Sequence, residues 1–379
     1  MSLDPKTGGG TAERTLQVSR SLAKSGEKCT ILTLDIGVTD SLQVRADEAR
    51  IVVLPCRFER YYVPASFRTT LPDLIASTDI VQIMNHWTML NALIFHYIRR
   101  SKKPYVVCPA GALPLFGRSK ISKHLYNGVV GKRIIRNADA CVAVSPTEIS
   151  DFKSYGASDE RISVIPNGVD PGEFIHDDDR EFRRKYGLRD VPFILFMGRL
   201  NAIKGPDLLL EAFINAVRTD RFPHHLVFAG PDGGMLHELR SNCLRAGIGD
   251  KVHFIGYVGG VEKSNAYHAA DFLVIPSRQE AMSIVVLEAG ITGTPVLITD
   301  RCGFDDVAGT GGGKVVPASG EGLEKGLVFM MSNGEALKTM GKNLKKFTSE
   351  HFLWDRMAKS YLELFSKILH ERHHENTTT

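Results

Sequence analysis

The sequence contains no uninterrupted apolar run of the roughly 18 to 20 residues that a membrane-spanning helix needs, so any membrane contact is expected to be peripheral. The opening segment Met1–Gly10 is too polar for a secretory signal. Cysteine is sparse and scattered. Cys29, Cys56, Cys108, Cys141, Cys243 and Cys302 form no Cys-x-x-Cys pair and have no histidine at zinc-site spacing, which argues against a metal framework. Several stand inside apolar runs, where a reduced cysteine acts as a small hydrophobe, and the expected compartment is a reducing cytoplasm. Excess charge is small, +4 from 47 Lys and Arg against 43 Asp and Glu, and gives no reason to expect nucleic acid. One local absence is larger. From Ile80 to Ala138 there is no Asp or Glu, while Arg99, Arg100, Lys102, Lys103, Arg118, Lys120, Lys123, Lys132, Arg133 and Arg136 leave the rest of the chain net acidic. That segment reads either as a face for an anionic partner or membrane surface, or as a solvated basic surface with no ligand.

What is present is the mix of a soluble globular protein, 43% hydrophobic and 24% charged. At roughly 100 to 200 residues per domain the length points to two domains. Short apolar runs alternate with helix-length amphipathic segments. The first half offers Cys29–Leu34, Ile51–Leu54, Ile80–Met84, Tyr105–Cys108 and Ala140–Val144. The second offers Phe193–Met197, His225–Ala229, Val252–Ile255, Phe272–Ile275, Val296–Thr299 and Gly313–Val316. Runs apolar on both faces and separated by helices predict buried parallel strands with crossover helices, hence an α/β chain of two doubly wound parallel-sheet domains. Turn formers cluster at Pro166-Asn167-Gly168-Val169-Asp170-Pro171, so the domains are expected to span 1–168 and 169–354. A closing helix is expected from Asp355, with Met357, Tyr361, Leu364, Phe365 and Ile368 on one face. The tail His370–Thr379 reads as frayed, with incidental histidines.

The chemistry concentrates in three loops of the second half. Phe193–Met197 runs into Gly198-Arg199-Leu200-Asn201-Ala202-Ile203-Lys204-Gly205, so Arg199 and Lys204 leave the sheet at a strand's carboxyl end, where an open parallel sheet binds ligands. Two fixed cations on one short loop suit a diphosphate. The next strand ends in Ala229-Gly230-Pro231-Asp232-Gly233-Gly234, a loop that lets backbone approach closely. The third runs from Pro276-Ser277 into a helix start between Glu280 and Glu288, where Ala281-Met282-Ser283-Ile284 offer free N–H groups as an anion site. Glu288 suits the vicinal hydroxyls of a ribose, and Glu280 faces whatever lies beyond the diphosphate. Taken singly, each residue reads equally as an exposed pair or a solvated acid. A nicotinamide-dependent oxidoreductase is disfavoured, because Gly8-Gly9-Gly10-Thr11-Ala12-Glu13 lacks the third glycine and a strand before it. Gly309–Lys314 is followed by Val315, which rules out a Walker phosphate loop.

These stretches resemble the retaining glycosyltransferases of family 4. The matching residues are Ile165-Pro-Asn-Gly-Val-Asp170, Gly198-Arg-Leu with Lys204-Gly205, Ala229-Gly-Pro231, Pro276-Ser with Glu280-x7-Glu288-Ala289, and Gly293-Thr-Pro-Val296, in order from about Gly8 to Leu369. The resemblance implies the GT-B fold: an acceptor-binding N-terminal and a donor-binding C-terminal Rossmann-like domain, with the helix 355–370 crossing back onto the first. It implies that Arg199 and Lys204 hold the diphosphate of a UDP- or GDP-type nucleotide sugar, Glu288 its ribose and Glu280 the transferred sugar. Gly198, Pro231, Met282, Ser283 and Ile284 belong to the same donor-binding set. It further implies that Gly9 and Gly10 approach the diphosphate, and that the reaction is a metal-free, front-face transfer of a hexose-type sugar. No cofactor is expected. The only acidic triplet, Asp177-Asp178-Asp179, reads as a solvated helix start rather than a metal motif.

Two features depart from the family pattern. Members begin with an apolar strand before the glycine loop, whereas Met1–Thr7 is polar, so the first N-terminal strand is expected to be missing and the N-terminal domain weakened. The family's histidine after the fourth strand is displaced to His86, which reads as a catalytic candidate or equally as a hydrogen-bonded structural residue. The Arg99–Arg136 region, with Leu115, Phe116, Ile121, Leu125 and Tyr126, reads as a basic amphipathic surface for anionic lipid headgroups and a polyprenyl-diphosphate-linked or other saccharide acceptor, as in cell-surface polysaccharide assembly. A soluble phosphorylated acceptor is the other reading. A nucleotide-sugar epimerase of the same architecture and a donor-binding protein without transfer activity are the alternative functions.

Overall fold

The computed structural model describes residues 3–4, 8–38, 40–115, 120–189, 191–220 and 222–377. The chain divides into two compact units, Met1–Asn167 with Trp354–Thr379, and Gly168–Leu353. The described part of the first unit begins in earnest with α1 (Gly9–Lys24). β1 (Thr30–Leu34) and β2 (Arg50–Leu54) pair in parallel, from Thr30 with Arg50 to Leu34 with Leu54, with α2 (Asp40–Ala46) crossing between them. A short antiparallel pair, β3 (Cys56–Phe58) and β4 (Val63–Pro64), follows. Next come α3 (Thr70–Ala76), β5 (Val81–Met84), α4 (Met89–Ser101), β6 (Tyr105–Cys108), α5 (Lys120–Tyr126), α6 (Lys132–Arg136), β7 (Ala140–Ala143), α7 (Ile149–Ser154) and β8 (Ile162–Val164). β5 to β8 form a parallel sheet in sequential order. β6 and β7 are buried at every position, as strands covered by helices on both faces must be.

The sequence predicts one N-terminal sheet, and the structure divides it: β1–β2 and β5–β8 are separate, and no strand precedes α1 among the described residues. Leu3 is buried with Ala12, Leu16 and Ile31 in a small core beside β1.

Besides its apolar face, one buried polar residue ties α1 into this unit. Arg14 is fully buried. Its guanidinium donates to the carbonyls of Ile165 (2.7 Å) and Pro166 (2.8 Å), to Asn167 Oδ1 (2.8 Å) and to the Tyr361 hydroxyl (2.9 Å). Burial works against its charge, and Tyr361 and Cys108 more than offset that, so the group stays protonated. Arg14 thereby ties α1 to the last residues before the chain leaves the unit and to the helix on which it returns.

The second unit holds α8 (Asp179–Lys185), β9 (Phe193–Met197), α9 (Pro206–Asp220), β10 (His225–Ala229), α10 (Leu236–Ala246), β11 (Val252–Gly256), α11 (Gly260–Ala269), β12 (Phe272–Ile275), α12 (Ile284–Thr292), β13 (Val296–Thr299), α13 (Asp306–Gly309), β14 (Gly313–Val316), α14 (Gly320–Ser332) and α15 (Gly334–His351). Its six strands form one parallel sheet in the order β11-β10-β9-β12-β13-β14. The apolar face of α9, with Leu209, Leu210, Phe213 and Ala216, packs with Leu323, Leu327 and Met330 of α14 against the inner strands. Each of these Leu, Phe and Met side chains contributes about 1.5–3 kcal/mol through burial. The acidic triplet caps α8, where Asp178 accepts from the N–H of Glu181.

The chain then returns to the first unit as α16 (Trp354–Thr377). The expectation of a frayed tail is wrong: the helix runs on to Thr377, held by Arg372, which bonds the Asp139 carboxylate at 2.8 and 2.6 Å.

Candidate functional site

In the sheet of the second unit β10 and β11 lie to one side of β9, while β12, β13 and β14 lie to the other. The order therefore reverses between β9 and β12, and the crevice beyond their carboxyl ends is where such a sheet accepts a ligand. The loops that leave these strands are 198–205 and 276–283. Close backbone contact fixes them to one another. Gly205 has φ of 66°, and a Cβ there would stand 2.1 Å from the carbonyl oxygen of Pro276. Only glycine meets both demands. The N–H of Arg278 donates to the carbonyl of Ile203 (2.8 Å), and its guanidinium forks onto Asp207 at 2.9 and 2.6 Å. Burial pushes the Asp207 carboxyl up, and the bonds and charge of Arg278 outweigh it, so the pair is fully ionised. A third loop is hooked on as well: Glu280 N–H donates to the Arg301 carbonyl (2.8 Å), Ser283 N–H to that of Cys302 (3.2 Å), and the Cys302 thiol to the Ile275 carbonyl (3.3 Å).

This scaffold brings Lys204 and Glu280 together. Lys204 Nζ is 2.9 Å from Glu280 Oε1, and the Ser277 hydroxyl donates to the same carboxylate. Arg199 leaves β9 on the same loop and is half-buried. Gly198 N–H donates to the carbonyl of Ala229 (2.9 Å), and the Pro231 carbonyl accepts from Leu200 N–H (3.0 Å), which joins the loop after β10 to the loop after β9.

The helix start lies later than the sequence suggests. α12 begins at Ile284, with Ser283 as its N-cap, because the hooks onto Arg301 and Cys302 hold residues 280–283 out of the helix. The N–H of Ser283 is consequently taken, and the free donors of this terminus start at Ile284. The Ser283 hydroxyl is fully buried and has no hydrogen-bond partner among the described residues. Met282 is buried. Glu288 stands one turn into α12 and is buried. Its carboxylate accepts from Lys263 Nζ (2.7 Å) and the Tyr267 hydroxyl (2.6 Å), both on α11. Neither partner belongs to a loop motif. The available signal was the spacing Lys263-x3-Tyr267, which puts both on one helix face.

The other candidates lie in the first unit. Gly9 and Gly10 open α1, Gly9 with φ of 64°. His86 follows β5 and is buried among Trp87, Tyr126 and Tyr155, whose rings meet its own edge-on at 4.6, 5.6 and 5.3 Å. Its Nε2 lies 3.1 Å from Asn127 Oδ1, within a π-helical turn, Asn127–Gly131. Burial lowers its pKa to about 4 against the partial opposition of the Asn127 bond, so the ring is neutral at neutral pH. Among the described residues no group of three or more His, Cys, Asp or Glu could hold a metal ion.

Residues 178–347 match the model described as glycosyl transferases group 1, and residues 8–173 match glycosyltransferase family 4. The chain belongs to the group 1/family 4 glycosyltransferases. A D-inositol 3-phosphate glycosyltransferase of Gordonia bronchialis is 32% identical over 257 residues, covering 64% of this chain and 55% of that protein. An uncharacterized glycosyltransferase of Methanocaldococcus jannaschii is 32% identical over 218 residues, covering 56% of this chain and 55% of its own length. The match thus spans about half the length of these relatives. Among solved structures, Anabaena HepE in complex with UDP and glucose superposes with a TM-score of 0.78 at 16% identity, over 96% of this chain and 97% of that one. The fold of this family member is GT-B, two Rossmann-like α/β units.

Proposed function

We propose that the protein is a retaining hexosyltransferase that takes its sugar from a nucleoside diphosphate donor bound at the carboxyl ends of β9 and β12. The observation that carries this reading is the Lys204–Glu280 pair, a cation and a carboxylate 2.9 Å apart on the two loops that flank the reversal of strand order. Lys204, Arg199 and the N–H groups from Ile284 onward would take the diphosphate, whose charge grows as the sugar departs. Glu280, freed from Lys204 by the incoming phosphate, would accept from hydroxyls of the sugar, and Glu288 from those of the ribose. In the transfer step the bond from the anomeric carbon to the β-phosphate oxygen breaks and its electron pair leaves with the diphosphate. The acceptor hydroxyl oxygen bonds the anomeric carbon on the same face and gives its proton to a phosphate oxygen. None of this requires a metal ion. His86 enters as the buried hub that positions the loops after β5 and β6, since the indole N–H of its neighbour Trp87 donates to the Ala112 carbonyl.

The acceptor in this reading is a saccharide, free or lipid-linked, of the kind assembled into cell-surface polysaccharide. In its support, Ile121, Leu125 and Val129 are exposed at a spacing of four, beside exposed Lys132, Arg133 and Arg136, which offers apolar and cationic contact to an anionic lipid surface. Phe116 and Arg118 lie outside the described residues, as does the side chain of Lys120. No described helix is long and apolar enough to cross a membrane. Thermal shift with UDP, GDP, ADP and their hexose conjugates tests the donor site: one base series raises the midpoint, and no shift with any of them defeats the reading. Flotation with anionic liposomes at low salt tests the surface; a protein that stays in the bottom fraction counts against it.

A further inference from the structure

We propose that Lys263 and Tyr267 are positioning residues for Glu288, which they hold so that its carboxylate selects a vicinal diol and hence a ribonucleoside over a deoxyribonucleoside diphosphate. The proposal rests on the donor-site reading above. Lys263 and Tyr267 meet different oxygens of one carboxylate, Oε1 at 2.7 Å and Oε2 at 2.6 Å. An ionised carboxylate oxygen accepts at two positions. The protein fills one on each oxygen, which leaves one acceptor on each at a fixed separation, a match for the two donors of a cis diol. A sugar that lacks these hydroxyls leaves both acceptors unmet in a site where the carboxylate side chain is only 9% exposed.

The partners are themselves held. Tyr267 is fully buried, and burial followed by the Glu288 charge pushes its phenol well above the ordinary value, so it remains a donor. Lys263 Nζ lies 5.0 Å over the ring of Phe174, which meets Tyr267 edge-on at 5.9 Å. Phe174 is buried, and its carbonyl lies 3.1 Å from His268 Nε2, one residue beyond Tyr267. It ends the turn Pro171–Phe174, whose start Asp170 caps by accepting from Gly172 N–H at 2.9 Å. The brace is therefore rooted in the segment that follows the Pro166–Pro171 turn, and it locks the carboxylate before any ligand arrives.

The test is a calorimetric comparison of the nucleoside diphosphate that binds, from UDP, GDP and ADP, with its dideoxyribose form, using wild type, Lys263→Met, Lys263→Arg, Tyr267→Phe and Glu288→Gln. Wild type prefers the ribose form. Lys263→Met and Tyr267→Phe each lower that preference about tenfold while affinity for the dideoxy form stays within about twofold, and Lys263→Arg keeps most of it. A variant that only loosened the fold would weaken both ligands alike. Tyr267→Phe deletes one oxygen and keeps the ring, so it stays readable if Lys263→Met does not fold. The proposal is overturned if Lys263→Met or Tyr267→Phe is folded and retains the wild-type preference while Glu288→Gln loses it. A preference unchanged in Glu288→Gln, or no binding to wild type, overturns the donor-site reading and this proposal with it.

Discussion

Replacing Arg14 by Met keeps the apolar stem and removes every donor that ties α1 to residues 165–167 and to Tyr361. The magnitude follows from what is left behind. Four acceptors lose a charged donor, three of them in bonds closed to water. Each buried acceptor left unmet costs about 1 kcal/mol or more, and removing the buried cation recovers part of its desolvation. The net is a loss of about 3 kcal/mol, a large share of the roughly 5–15 kcal/mol that a domain has. With a urea slope near 2 kcal/mol per molar, the unfolding midpoint falls by about 1.5 M. The reporter is built in, because both tryptophans, Trp87 and Trp354, belong to the first unit, and the Trp354 ring lies 5.8 Å from the Arg14 guanidinium. Tryptophan fluorescence follows this unit, while circular dichroism follows both. The fluorescence transition of Arg14→Met is expected to move and the remaining dichroism transition to stay. A fluorescence midpoint within about 0.3 M of wild type would refute the role given to Arg14.

Acidification should destabilise the first unit through His86. Its folded pKa of about 4 lies below the ordinary 6.5, so the unfolded chain takes the proton first. Stability present above pH 6.5 is then lost as pH falls towards 4, by up to about 3 kcal/mol. Thermal melts of wild type and His86→Asn across that range check it, and equal pH slopes would remove His86 as the cause. Gly205→Ala, whose Cβ would lie 2.1 Å from the Pro276 carbonyl oxygen at φ of 66°, should separate the two donor loops and weaken nucleotide binding about tenfold or more, with little change in the fluorescence transition of the first unit. Turnover measured with EDTA should equal turnover without it, and activity restored only by a divalent ion would contradict the metal-free reaction.

Much of the second unit is readable in the sequence, because strands such as β9 and β12 are buried on both faces and announce themselves as apolar runs ending in glycine or proline. Lys204 and Glu280 stand out for the same reason, being charged on the loops that leave such strands. What stays hidden depends on partners far along the chain. The spacing Lys263-x3-Tyr267 puts both on one helix face, but nothing in it says that this face meets Glu288, 25 and 21 residues away. The start of α12 is displaced by carbonyls of Arg301 and Cys302, and the polar tail stays helical with Arg372 on Asp139, 233 residues earlier. β3, β4 and β8 are too short, at three residues or fewer, to carry a periodicity. For His86 the sequence leaves two roles open, and the structure supplies the surrounding rings.

The central claim, a nucleoside diphosphate held where β9 and β12 end, is tested most directly by calorimetric titration of UDP, GDP and ADP into wild type and Lys204→Met. The account predicts that one of the three binds wild type at one site per chain and that Lys204→Met weakens it about tenfold or more, the worth of a charge-assisted phosphate contact. Equal affinity in the two proteins, or no heat of binding with any of the three, would contradict it.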